Sequence, residues 1–405
     1  MTPPRSAVIN AHAAPRSQPY GTRRPRALSA AGFAAAAAEI VTWPDYAPTP
    51  LTPLPELARR LGVHEIWYKD ERTRFGLKSF KALGGAYAVA NVLKRAIRDA
   101  GRGEATAMDL VAGTFRDVAA AITVTCATDG NHGRSVAWGA RLFGCRCVIF
   151  VHEHVSQGRR DAIARYGAEV VEVKGNYDDS VRHAAAAAAA GGRTVVSDTS
   201  YPGYRDIPAD VMHGYGVMAA EIAAQLERPP THVLVQAGVG ALAAAICADF
   251  WFRWGAARPR FIAVEPTTAD CIAQSLAAGH PVAVTGALDT VMAGLACGEV
   301  STIAWEILAT GADAAVAVAD RYALAAVRAF ADPTPGDPAI VSGETGAAGL
   351  AALFAAQDDP AIRAALALDA RSRVLLLGSE GDTDPAIYRA IVGKSADEVL
   401  GSSWP

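Results

Sequence analysis

Lys78 and Lys81 stand close together in FGLKSFKALGG, residues 75–85. A lysine on a helix face is ordinarily a solvated charge. Lys81 has a different setting. Ser79, a residue type suited to capping a helix, precedes it, and apolar positions at Leu83, Ala86, Tyr87, Ala90, Leu93 and Ile97 continue a helical period. A lysine in a first helical turn meets the positive end of the helix, and partial burial adds to that effect. Both disfavour the ammonium and are expected to lower its pKa toward the free amine used in imine formation and proton abstraction. Lys78 lies ahead of the cap and is expected to be exposed or to contact an anion.

The elements that would position such a lysine follow a regular order. AITVTCA (121–127), CVIFV (147–151), AEVVEV (168–173) and TVVS (194–197) read as strands, separated by helical stretches with glycine stops such as Gly144 and Gly191-Gly192. A second series holds HVLVQ (232–236), FIAVE (261–265) and RVLLLG (373–378). This alternation predicts an α/β chain of two lobes, each a parallel sheet flanked by helices, with a cleft between them. Open parallel sheets bind ligands at the carboxyl ends of their strands. The residues to examine are therefore Thr128-Asp129-Gly130-Asn131, Asp198-Thr199, Gly238-Val239-Gly240, Glu265 and Ser379-Glu380-Gly381.

QAGVGALAAAI (236–246) passes from strand through a glycine turn into a helix, an arrangement that binds anions through unpaired N–H groups and the helix dipole. Gly238-x-Gly240-x-x-Ala243 also fits a dinucleotide fingerprint, with Glu265 near the place of its ribose ligand, so an NAD-dependent dehydrogenase is one reading. The rest of the site separates the two. A dehydrogenase has no use for an imine-forming lysine, whereas a pyridoxal phosphate (PLP) enzyme needs that lysine and one phosphate cradle.

Bulk properties narrow the partners. The chain has 405 residues, 51% apolar and 20% charged, with a net charge of −3. That size suits two domains, and that charge gives no electrostatic reason to expect nucleic acid or an anionic membrane. No apolar run approaches a bilayer span. The six cysteines are scattered through apolar stretches; Cys145-Arg-Cys147 is one residue short of CxxC, and no matching His cluster lies near. They read as free thiols of a cytoplasmic protein, with no metal site expected. Residues 1–38 carry five arginines and no acid, which resembles a targeting signal. The prolines break any amphipathic helix there, and a disordered basic arm over 1–28 is the expectation. The globular part is divided into a large domain of 29–90 and 220–405 and a small domain of 91–219.

Ser79-Phe80-Lys81 with Gly84-Gly85-Ala86 resembles the lysine motif of fold type II PLP enzymes, the tryptophan synthase β / threonine dehydratase group. Thr128-Asp129-Gly130-Asn131-His132-Gly133 resembles that group's asparagine loop, and Gly238-Val239-Gly240-Ala241-Leu242 its phosphate loop. RFGLKSFKALGGAYA, ATDGNHGRSVAW, QAGVGALAAA, DTVMAGLACGEVSTIAWEIL, VSGETGAAGLAAL and GSEGDTDP, in that order, are similar to the 2,3-diaminopropionate ammonia-lyase family from about Trp43 to Tyr388.

That resemblance implies α,β-elimination of D- and L-diaminopropionate to pyruvate and two ammonia by way of aminoacrylate, with PLP as cofactor. It makes Lys81 the imine-forming lysine and Asn131 the partner of the cofactor's 3-hydroxyl. Gly238, Val239, Gly240 and Ala241 would cradle the phosphate, and Ser379 would face the pyridine nitrogen. Thr128, Gly130 and the loop N–H groups would hold the substrate carboxylate. Asp129 stands where the wider group has a small neutral residue, so it is either an ordinary helix cap or a second base serving the other enantiomer. Asp198 would engage the substrate's β-ammonium, or else be solvated in its loop. The resemblance further implies a homodimer. The other readings are a serine or threonine dehydratase-like eliminase, against which Asp129 and Asp198 argue, and a PLP-fold sensor without turnover.

Overall fold

A computed structural model describes residues 7–21, 27–128, 130–175 and 177–401, excluding the side chains of Tyr177 and Asp178. Among them run the strands β1 (Ala7–Ile9), β2 (Leu51–Pro53), β3 (Glu65–Asp70), β4 (Thr123–Ala127), β5 (Arg146–His152), β6 (Glu169–Val173), β7 (Thr194–Val195), β8 (His232–Gln236), β9 (Arg260–Pro266), β10 (Ala314–Val318) and β11 (Arg373–Gly378). They sort into two sheets in two compact units.

The first unit comprises Met1–Ala27, Pro48–Thr73 and Met218–Pro405. Its seven strands lie in the order β1-β10-β9-β8-β11-β3-β2. The five central strands are parallel, and β1 and β2 close the edges antiparallel. β8 and β10 are buried along their whole length, as strands covered by helices on both faces must be. Leu234, Ile262, Val316 and Leu376 from the sheet pack with Leu350 and Phe354 of the helix Ala348–Asp358. This core brings the ends of β8 and β11, and so the Gly238–Ala241 turn and Ser379, to fixed positions in the unit.

The second unit comprises Leu28–Ala47 and Arg74–Val217, around a parallel sheet ordered β6-β5-β4-β7. Its helices Lys81–Asp99 and Asn131–Phe143 pack through small residues. A Cβ on Gly139 would lie 2.7 Å from the Cα of Ala86, and one on Gly85 would strike Ser135. The approach is close enough for the Ser135 hydroxyl to donate to the Lys81 carbonyl at 2.6 Å.

Two expectations are corrected. The described part of the basic arm is ordered: β1 pairs with β10, and Asn10 Nδ2 donates to the carbonyls of Ala309 (3.0 Å) and Ala312 (2.7 Å). Arg16 pairs with Asp313 at 2.8 Å, and Arg258 donates to the Ala14 carbonyl at 2.9 Å. Backbone pairing and caps secure a segment whose prolines rule out only a helix. The boundaries at 29–90, 91–219 and 220–405 also differ from the units found. Residues 28–47 and 74–90 belong to the second unit, because Lys81–Asp99 packs most heavily on Asn131–Phe143. No helix among the described residues is long and apolar enough to cross a membrane. All six cysteines are thiols outside any disulfide.

Candidate active site

In the second unit Lys81 opens the helix Lys81–Asp99. Phe80 occupies the capping position, and the buried Ser79 instead accepts the Lys81 N–H with its hydroxyl at 3.3 Å. The side chain of Lys81 is 23% exposed and that of Asp198 13%, and the two form a direct ion pair. Lys81 Nζ also lies 5.3 Å from the ring centre of Phe80 and 5.7 Å from that of Tyr215. Tyr215 is wholly buried, and a Cβ on Gly84 would collide with its ring, so that glycine makes room for it beside the lysine.

The electrostatics reverse the expected direction at Lys81. Burial does work against its charge, but the Asp198 carboxylate and the Tyr215 hydroxyl outweigh burial and hold Lys81 above the ordinary lysine value. Burial alone would raise Asp198, yet Lys81 and, secondarily, His132 draw it down to about 2. A carboxylate on a remote loop decides the matter, and the helix dipole does not. Without another cation to take Asp198, Lys81 is an ammonium.

Asp198, which could have been a solvated loop residue, therefore stands against Lys81. Thr128 accepts the Gly130 N–H at 3.0 Å and the Gly133 N–H at 3.1 Å with its hydroxyl oxygen. Two of the loop N–H groups expected to receive a carboxylate are thus bonded to the Thr128 hydroxyl oxygen. Gly130 has φ +152°, which only glycine tolerates readily, and Asn131 starts the following helix. The Asn131 side-chain oxygen accepts from Arg134 at 3.0 Å. Asp129 lies outside the described residues. Lys78 is half-buried, with φ +56°.

In the first unit the turn after β8 has the form of an anion cradle. Gly240 caps the helix Ala241–Trp254 at φ +92°, where a Cβ would lie 2.9 Å from that of Ala304. A Cβ on Gly238 would meet the Gly294 carbonyl at 3.0 Å and the Cys297 sulfur at 3.1 Å. Ser379, at the end of β11, is 1% exposed and its hydroxyl has no hydrogen-bond partner among the described residues. Native interiors rarely leave such a group unpaired without a ligand or water to meet it. The preceding Gly378 presses on the Tyr68 ring, which leaves Ser379 to present the hydroxyl. A cradle for an anion and an orphan hydroxyl fit the phosphate and the ring nitrogen of PLP.

Glu265, the ribose ligand of the dinucleotide reading, is used internally. It is fully buried and accepts the N–H groups of Ile272 and Ala273 at 2.8 Å each, capping the helix Cys271–Ala278. Burial pushes its pKa up to about 8. Sequence reasoning gave no role to Tyr215, Tyr204 or His132. His132 sits inside the asparagine-loop motif and could have been singled out there. Nothing local marks the two tyrosines, which reach the site only through tertiary packing.

The chain is similar to proteins of known structure and activity. Residues 42–379 match the family model described as pyridoxal-phosphate dependent enzyme. The diaminopropionate ammonia-lyase of Escherichia coli (strain K12) is 41% identical over 363 residues, covering 87% of this chain and 89% of that protein. Two crystal structures of the E. coli diaminopropionate ammonia-lyase superpose closely. One is a complex with an aminoacrylate-PLP azomethine reaction intermediate, with TM-score 0.83 and 36% identity, covering 95% of this chain and 96% of that one. The other is a complex with D-serine, with TM-score 0.86 and 37% identity, covering 96% and 97%. By family model and by identity over most of its length, the chain belongs to the pyridoxal-phosphate-dependent enzymes, in the diaminopropionate ammonia-lyase family.

Proposed function

We propose that this chain eliminates ammonia from D- and L-2,3-diaminopropionate, giving aminoacrylate, which hydrolyses to pyruvate and a second ammonia. The observation that carries the reading is the Lys81–Asp198 ion pair, a carboxylate already holding one ammonium at the reactive lysine. Serine and threonine offer a β-hydroxyl, which gains little from a carboxylate; diaminopropionate offers a β-ammonium.

Lys81 is assigned to the cofactor's carbonyl carbon, Asn131 to its 3-hydroxyl, Gly238, Val239, Gly240 and Ala241 to its phosphate, and Ser379 to its ring nitrogen. When bound, PLP supplies an electrophilic carbonyl and a sink for negative charge at the substrate Cα. Thr128 donates to the substrate carboxylate, beside Gly130. Asp198 holds the substrate's β-amine as an ammonium, so that nitrogen leaves with the C–N electron pair directly as neutral ammonia. The incoming ammonium also competes with Lys81 for Asp198. Once the substrate's α-amine has displaced Lys81 from the cofactor's carbonyl carbon and its β-ammonium has taken Asp198, burial favours the neutral amine of Lys81, any proton it held passing to solvent. That amine takes the Cα proton of one enantiomer. Asp129 is assigned to the same proton on the opposite face. A cytoplasmic homodimer is part of the proposal.

The test supplies the holoenzyme with each isomer and measures both products. Two ammonia per pyruvate from both isomers, with serine and threonine much slower, supports the reading. Faster turnover of serine or threonine would establish the dehydratase-like alternative instead.

A further inference from the structure

Asp198 follows β7, which has only two residues, so ladder pairing alone cannot fix the direction of its carboxylate. The Val196 N–H bonds to the Thr125 carbonyl at 2.8 Å, and beyond it side chains hold the backbone. The Tyr204 hydroxyl donates to the Val195 carbonyl at 2.8 Å and accepts the Ser197 N–H at 3.0 Å. The His132 Nε2 contacts the Val196 carbonyl at 2.8 Å, and the Ser197 hydroxyl accepts the Thr199 N–H at 3.1 Å. Tyr204 is itself secured: it exchanges two backbone hydrogen bonds with Tyr201, at 2.9 and 3.2 Å, and their rings stack at 5.0 Å. One hydroxyl thus grips the chain on both sides of Val196, ending one residue short of Asp198.

We propose that Tyr204 is a positioning residue, whose hydroxyl, bonded to the Val195 carbonyl and the Ser197 N–H, aims the Asp198 carboxylate and thereby sets the preference for substrates carrying a β-ammonium. The proposal rests on the reading of Asp198 given above. The phenol suits both roles: burial raises its pKa, so it stays protonated and able to donate while its oxygen accepts. Tyr204→Phe keeps the ring and its stacking and removes only the two hydroxyl bonds.

The experiment is a double-variant cycle on the holoenzyme with Tyr204→Phe, Asp198→Asn and the combination. The substrates are diaminopropionate and a β-haloalanine, an eliminable amino acid with an uncharged leaving group. Tyr204→Phe is expected to lower kcat/KM for diaminopropionate on the order of 10-fold, the scale of one or two net hydrogen bonds. The β-haloalanine rate should stay within about 2-fold, and Tyr204→Phe should cost nothing further once Asp198 is Asn. The unchanged β-haloalanine rate shows that the variant has folded and holds its cofactor. Equal losses on both substrates, no loss on either, or a full additional loss in the Asp198→Asn background would each overturn the role of Tyr204. If Asp198→Asn alone harms both substrates equally while the cycle stays non-additive, Tyr204 does position Asp198. It is then the β-ammonium reading of Asp198, and with it the preference assigned to Tyr204, that fails.

Discussion

The two compact units prepare for chemistry by opposite means. In the first, the prospective phosphate loop is backbone packed so tightly that a Cβ would be crowded at Gly238 and would clash at Gly240, and the polar group on offer is the neutral hydroxyl of Ser379, unpaired among the described residues. In the second, the group proposed to react is a charged lysine held by a carboxylate on a loop that side-chain hydrogen bonds keep in place. An anion-binding backbone needs no charge balance and can be built into a rigid sheet-helix turn. A lysine that must pass between ammonium and amine needs a partner that another cation can take over. Affinity for the cofactor should therefore depend on packing in the first unit, and substrate discrimination on electrostatics in the second.

Substitutions should separate these roles. Lys81→Ala is expected to have the largest effect, a loss of turnover on the order of 10³-fold or more, and no visible lysine imine on adding PLP. Gly240→Val should come next. Strain at φ +92° and the clash with Ala304 cost about 1–3 kcal/mol, read as a lower Tm and weakened PLP binding by fluorescence titration, with substrate preference kept. Ser379→Ala should have the smallest effect on the fold. Removing an unpaired buried hydroxyl should leave the cofactor-free protein equally stable or up to about 1 kcal/mol more so, while PLP affinity falls. If Ser379→Ala instead destabilised the cofactor-free protein, the orphan hydroxyl would have a structural partner and the contrast between units would weaken.

The ion pair gives a pH prediction for the cofactor-free protein. Asp198 is held near 2 against an ordinary 3.8, so its contribution is present above about pH 4 and lost as pH falls toward 2. Lys81 is raised, so its contribution is full below the ordinary lysine value and is lost only above that value. Thermal unfolding from pH 5 to pH 2 should therefore show a loss that is smaller in Asp198→Asn.

Much of this was legible in the sequence. Strands rich in β-branched residues, such as TVTCA, RCVIFVH and HVLVQ, announce themselves by composition, and the glycine turn and Lys81 by their place after a strand or at a helix start. β10, AAVAV, is hidden because alanine carries no strand preference, and β1 because three residues among prolines show no period. The boundary between units was obscured by the helix Asp206–Gln225, within which Val217 ends one unit and Met218 begins the next. The protonation of Lys81 was misread for a related reason. Its helix position is local and visible, whereas Asp198 and Tyr215 come from distant chain. Tertiary contact also hides the clamp of Tyr204.

In the proposed reaction Asp198 exchanges Lys81 for the substrate's β-ammonium. The most direct measurement is the ratio of kcat/KM for L-diaminopropionate to that for L-serine, in the unmodified holoenzyme and in Asp198→Asn. The ratio is expected to collapse by about 10-fold or more, the scale of one charge-assisted hydrogen bond, with the serine rate preserved or raised. An unchanged ratio, with both rates falling together, would contradict that exchange.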